Sequence, residues 1–239
     1  QKYGIGSASE AARNATIVSQ QDRLTISGNV DFGQLTTDGD GEMVIAGQLT
    51  SPIAEAAVLT KSGDGPLTLA GDSNAYDGRI SVEQGTLVAA NSGALGTARR
   101  GTSVADGATL VLDQFDPDGP GGPQPPQDIT LADSLTVPGA GFDPDGAGGP
   151  LDPLGAIHNL RGNNTITGDI NAGPALDVAE GLELWLDASD TATITAAVHN
   201  TGLIDVDAGT LNLARGGTGT GGTVEVASGA TLQFSGTGG

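Results

Sequence analysis

The side chains best suited to chemistry sit in two nearly identical loops, FDPDGPGGPQPP from Phe115 and FDPDGAGGPLDP from Phe142. Asp116 and Asp118 in the first loop, and Asp143, Asp145 and Asp152 in the second, offer hard oxygen ligands on tight glycine turns. That donor set suits Ca2+. Neither loop has the further acidic positions and distal Glu of an EF-hand, and the GGxGxD phrase of calcium-binding β-rolls is absent. The competing expectation is a solvated acidic turn with each Phe tucked against the body of the protein. Ca2+ is the one ion considered, and no other cofactor is expected.

A second candidate is Trp185, within Leu182-Glu183-Leu184-Trp185-Leu186-Asp187. In an extended strand the three Leu share one face, which leaves Trp185 on the other, between Glu183 and Asp187. An exposed indole flanked by carboxylates could stack on a sugar ring. Alternatively, the insert at 114–153 covers it. His158 and His199 recur in the related phrases AIHN and AVHN, 41 residues apart. Two coils of about 20 residues would hold them about 9–10 Å apart, too far to share one metal ion. They read as a repeated turn position, with Asn159 and Asn200 satisfying backbone groups at a coil corner.

Catalysis has little to rest on. Asp187, Asp190, Asp205 and Asp207 could supply paired carboxylates of the kind that cleave polysaccharides. None lies in a catalytic phrase, and there is no nucleophile elbow, phosphate loop or metal triad. The chain is not expected to be an enzyme; a polysaccharide-degrading β-helix is the weakest of three readings, behind a structural segment and a glycan-binding face around Trp185.

The elements that would position these residues are short strands set by a repeat. VEQGTLVA from Val82, VADGATLVL from Val104, VAEGLELWL from Val178, VDAGTLNL from Val206 and VASGATLQF from Val226 share one phrase. Each has a glycine at its corner, namely Gly85, Gly107, Gly181, Gly209 and Gly229, where a sharp turn demands positive φ. The residues after each glycine alternate apolar and polar, so one face points inward. The starts at Val82, Val104, Val206 and Val226 suggest a period of about 20–22 residues, in the range of stacked β-coils. An antiparallel sandwich would also show short strands and turns, but not one phrase five times. The expectation is an all-β parallel β-helix, a single-stranded solenoid with long Gly/Pro-rich inserted loops at 114–153. It forms one unit over residues 1–239, and residues 1–20 cap its first coil, with a short helix over Ser7–Arg13.

Composition agrees. Forty glycines and seven aromatic residues suit a narrow interior filled by Val, Leu, Ile and Ala. A formal charge of −20 repels nucleic acid and anionic lipid, and seven aromatics give no stacking platform for single strands. No apolar run approaches the length that spans a bilayer, so this segment is not expected to insert in a membrane. There is no cysteine; stacked coils need no disulfides, and a cysteine-free chain suits passage through a pore unfolded. A monomer is expected.

Residues 59–96 carry a closer signal: Leu59, Thr60, Lys61, Gly63, Gly65, Leu67, Leu69, Gly71, Asn74, Tyr76 and Gly78, then Val82, Gly85, Leu87 and Ala94-Leu95-Gly96. This order resembles the autotransporter-associated β-strand repeat, also called the passenger-associated transport repeat. A weaker copy lies at 162–168, with Ile166 where the family prefers an aromatic. Pro66, and Arg79-Ile80-Ser81 where Thr is usual, depart from the pattern. The resemblance implies a right-handed parallel β-helix in the passenger of a secreted or cell-surface protein of a Gram-negative bacterium. It implies a role in export and display, as a stalk or adhesin meeting a host-surface or extracellular glycan ligand. It also implies a translocating β-barrel further along, so the chain reads as a fragment.

Overall fold

The computed structural model describes residues 14–51, 56–73, 75–113, 128–137, 141–143, 156–160, 164–168, 170–171, 183–186, 191–194, 198–200, 203–206, 208–214, 217–219 and 223–235. Every strand pairing among them is parallel. The first sheet has nine strands, from Asn14–Val18 to Gly217–Gly219, and the second has nine, from Arg23–Ile26 to Thr223–Val226. A third wall is built from five strands, Thr130–Leu131 to Thr231–Phe234, and a separate pair, Val30–Asp31 with Leu49–Thr50. Consecutive strands of the chain fall in different sheets, and each sheet pairs a strand with its counterpart one circuit later. The molecule is an all-β parallel solenoid.

The coil length follows the sequence. In the first sheet Asn14, Gln34, Val58 and Arg79 are successive partners, at intervals of 20, 24 and 21 residues. Thr102, Leu135 and Ile170 follow at intervals of 33 and 35, because the insert lengthens those circuits. The circuits after the insert stay long, 27 residues from Ile157 to Leu184 and 28 from Ile170 to Val198, and this corrects the reading of the histidines. His158 lies in Ile157–Asn159 of the second sheet and His199 in Val198–Asn200 of the first. They are strand residues on different walls, not one turn position repeated two coils apart. A spacing of 41 spans whole coils only where the coils are short.

Inward positions stack into columns. Met43, Leu67, Leu87, Leu110 and Ile157 are successive partners in the second sheet, and Leu35, Leu59 and Ile80 in the first; each is at most 3% exposed. Each such side chain contributes about 1.5–3 kcal/mol by leaving water. Small and branched residues suffice because facing walls of one narrow coil are close. At the corners Gly85, Gly107, Gly209 and Gly229 all have positive φ, between 64° and 95°, as the V-x-x-G phrase requires. Gly181 and the helix expected over Ser7–Arg13 lie outside the described residues; within the cap expected over 1–20, Asn14–Val18 is a strand of the first sheet.

Between the two parts of the third wall, turns replace strands. The Leu49 amide donates to Ser73 Oγ at 2.9 Å, Ser73 N to the Gly93 carbonyl at 2.9 Å, and Thr130 N to Ser92 Oγ at 2.9 Å. Side chains thus carry the ladder across two coils where the backbone bends away from it.

Candidate functional site

The densest polar construction lies within residues 59–97. The strand Val58–Lys61 points Lys61 inward, and its side chain is buried. Nζ donates to the carbonyls of Ser62 (3.1 Å), Gly63 (2.6 Å) and Gln84 (3.0 Å). An ammonium has three donors, and all three are used. Two acceptors belong to its own corner and the third to the next coil, so one side chain stitches two circuits. Burial pushes the Lys61 pKa down to about 8, against the attraction of Asp64 and Asp38. Gly63, at φ +78°, makes the corner possible: a Cβ there would stand 2.5 Å from the Gly39 amide nitrogen.

Tyr76 forms the second anchor. Its ring is fully buried, 5.4 Å from that of Phe32, and its hydroxyl donates to the Arg79 carbonyl at 3.0 Å. Burial raises its phenol above the ordinary range. The glycine two residues on is a steric requirement, since a Cβ on Gly78 would meet the Tyr76 ring at 2.4 Å. One coil later, Asn91 Nδ2 donates to the Ala70 carbonyl at 2.9 Å while its Oδ1 accepts from Gly93 N at 2.8 Å. Ala94 and Leu95 are buried beside them. The ordered motif is therefore a list of side chains that hold backbone. Asn74 lies outside the described residues.

Two further buried polar groups lie outside the close motif, Asp133 and, within the weaker copy at 162–168, Asn164. Asp133 accepts from Thr102 Oγ1 at 2.5 Å, and its Oδ1 has no hydrogen-bond partner among the described residues. Burial raises its pKa to about 6, opposed by Thr102 and by the backbone of Ser134 and Gly101. Asn164 Oδ1 accepts from Ile129 N at 2.7 Å, and its amide donates to Asn159. Asn159 does satisfy a neighbour, but from a strand position in register with the core residue Leu112, not from a corner.

Trp185 stands in Glu183–Leu186, in register with His158, and Leu184 is in register with Ile157. The apolar and polar alternation of that strand thus continues the columns before it. On the outward side of the same sheet Thr109, Val111 and His158 are buried, and Phe142 N donates to Thr109 Oγ1 at 2.8 Å. The second acidic loop therefore starts across this face. The side chains of Trp185 and Glu183 lie outside the described residues, as does Asp187, so their approach to a ligand rests on register alone. Of the five proposed metal ligands only Asp143 is described. Among the described residues no three His, Cys, Asp or Glu are grouped to hold a metal ion, and no helix is long and apolar enough to cross a membrane.

Comparison with known proteins gives the motif its name. Residues 59–89 match the passenger-associated-transport-repeat family. The chain is 36% identical over 124 residues to the adhesin BmaC autotransporter of Brucella suis biovar 1 (strain 1330), a match covering 48% of this chain and 4% of that protein. No solved structure matches significantly. Residues 59–89 are thus a passenger-associated transport repeat, in a chain distantly similar to an autotransporter adhesin.

Proposed function

We propose that this chain is a structural segment of an autotransporter passenger, exported to the surface of a Gram-negative bacterium to hold an adhesive region away from the cell. The observation that carries this reading is how the repeat spends its residues. Lys61, Ser73 and Asn91 each close a backbone group of a neighbouring coil, and the Tyr76 hydroxyl closes the Arg79 carbonyl three residues on, so these side chains are spent on the backbone. Such a unit gives the growing coil a locally satisfied rung on which the next can stack. The whole chain, 1–239, forms one continuous, monomeric and right-handed rod. The right-handed sense is the one that parallel crossovers adopt almost without exception. The role is display and not catalysis.

The burial of Val111 and His158 supports a covered Trp185 over a sugar platform, because residue 185 is the next register partner in their column. The acidic loops then serve as a hydrated cover, not as a Ca2+ site.

The test is display. The chain is placed between a signal peptide and an autotransporter barrel, with and without residues 59–89, and surface passenger is measured by protease treatment of intact cells. Loss of exposed passenger in the deletion supports the reading. Equal display by both overturns it.

A further inference from the structure

One corner between the third wall and the first sheet is closed by a carboxyl. Asp133 lies between Thr130–Leu131 of the third wall and Leu135–Thr136 of the first sheet. It is 4% exposed, and Thr102, in the coil before, is 1% exposed. Thr102 Oγ1 donates to Asp133 Oδ2 at 2.5 Å, and Thr102 N donates to the Ser134 carbonyl at 2.9 Å. Thr102 and Asp133 are 31 residues apart, so these bonds close the long circuit that includes residues 114–127.

Glycines pack against this corner from both neighbouring coils. Gly101, at φ +73°, comes so near that a Cβ on it would stand 2.7 Å from the Ser134 carbonyl oxygen. On the following coil, a Cβ on Gly168 would overlap the Asp133 carbonyl oxygen. The corner has no slack, and Asp133 Oδ1 is buried there without a hydrogen-bond partner among the described residues. An ionised carboxyl in that place keeps a charged oxygen from both donors and water, which is costly; the neutral acid avoids most of the cost. Burial accordingly raises the Asp133 pKa to about 6, while Thr102 and the backbone of Ser134 and Gly101 pull it down.

The charged groups on the packed elements are few. Arg99, on the turn leading to Thr102, is held by Asp77 at 2.9 Å, and Arg100 beside it has a partner of its own. Arg79 opens the strand that pairs with Thr102–Val104 on the side away from Leu135–Thr136. On the segment of Asp133 itself the nearest acid in sequence is Asp128. Asp169 follows Gly168 and lies outside the described residues; a negative charge there would act in the same direction as burial.

We propose that the Thr102–Asp133 contact is a proton-operated latch, which fastens the long circuit to the coil before it when Asp133 is protonated and loosens when Asp133 ionises. The closed corner is stacked backbone around a neutral acid. The open corner lets the carboxylate reach water and gives up the bond from Thr102. Such local opening needs no unfolding of the columns on either side. The sign follows from the raised proton affinity: the latch is tightest in acid and is lost as pH rises through 6. The inference does not depend on export or display, since the latch is read on the isolated chain.

The test is amide hydrogen exchange of the full chain at pH 5 and pH 7.5, each corrected for the intrinsic exchange rate. Peptides covering 102–104 and 130–136 should be protected about tenfold more at pH 5, whereas reference peptides covering 58–69 should not change. Asp133→Asn, neutral at both values, should abolish the difference. Thr102→Val removes a bond that favours the ionised form, so its protection should fall at a higher pH than in the parent. This second variant keeps the latch testable if Asp133→Asn fails to fold. Equal protection at the two pH values in the parent would overturn the proposal. So would a difference that survives in Asp133→Asn, one shared equally by the reference peptides, or an unmoved midpoint in Thr102→Val.

Discussion

The ammonium of Lys61 meets the carbonyl of Gln84, 23 residues further along the chain, at 3.0 Å. This contact joins one coil to the next from inside the solenoid. Replacing Lys61 by Met keeps the apolar stem and leaves three carbonyls without their donor. The expected loss is about 2–4 kcal/mol, measured as a shift in the urea midpoint at pH 7. A K61M variant as stable as the parent would remove the clamp from the account.

Lys61 also sets a direction with pH. Its folded pKa of about 8 lies below the ordinary 10.5. Below pH 8 both states carry the charge, and the cost of burying it is paid in full. As pH rises from 8 towards 10.5 the folded state sheds the proton first, so this group's contribution to stability increases. Parent and K61M should therefore differ in the slope of stability against pH over that window, measured by urea unfolding.

Asp133 gives the opposite sign. Its folded pKa of about 6 lies above the ordinary 3.8. The stabilising contribution is complete below pH 3.8 and is lost as pH rises through 6, a span worth about 3 kcal/mol. Asp133→Asn should flatten the stability profile between pH 4 and 6 while the parent gains stability on acidification. Parallel profiles would contradict the burial of this carboxyl.

Gly78 and Tyr76 should behave as one unit. Gly78→Ala brings a Cβ against the tyrosine ring and is expected to cost about 1–3 kcal/mol. In a Tyr76→Ala background the same substitution should cost much less, a coupling read from a double-mutant cycle. Additive effects would mean that the ring lies elsewhere.

Trp185 is the chain's one tryptophan, so intrinsic fluorescence reports on it alone. The covered reading predicts blue-shifted emission and weak quenching by acrylamide. Red-shifted, readily quenched emission would restore the glycan platform.

Much of this fold is legible in the residues. The V-x-x-G phrase marks the corners at Gly85, Gly107, Gly209 and Gly229 because only positive φ makes so tight a bend. Leu67-Thr68-Leu69 and Ile80-Ser81-Val82 announce their strands by alternation. Circuit length is less legible. The coils that span His158 and His199 are 27 and 28 residues long, more than the period of the V-x-x-G phrase, and that is why counting residues misplaced the two on one corner. Lys61 and Tyr76 stand out in the motif, but their partners are backbone carbonyls, which no side-chain pattern reveals. Asp133 and Thr102, 31 residues apart, meet only because a lengthened coil brings them together.

The central claim is that coils stack in parallel register along one axis. Spin labels on Thr16→Cys and Thr136→Cys, in a chain with no other cysteine, test it by electron–electron distance. The two sites are five rungs apart in the first sheet, so the account predicts a single distribution centred near about 24 Å. A distribution far from that value, or several separate peaks, would contradict it.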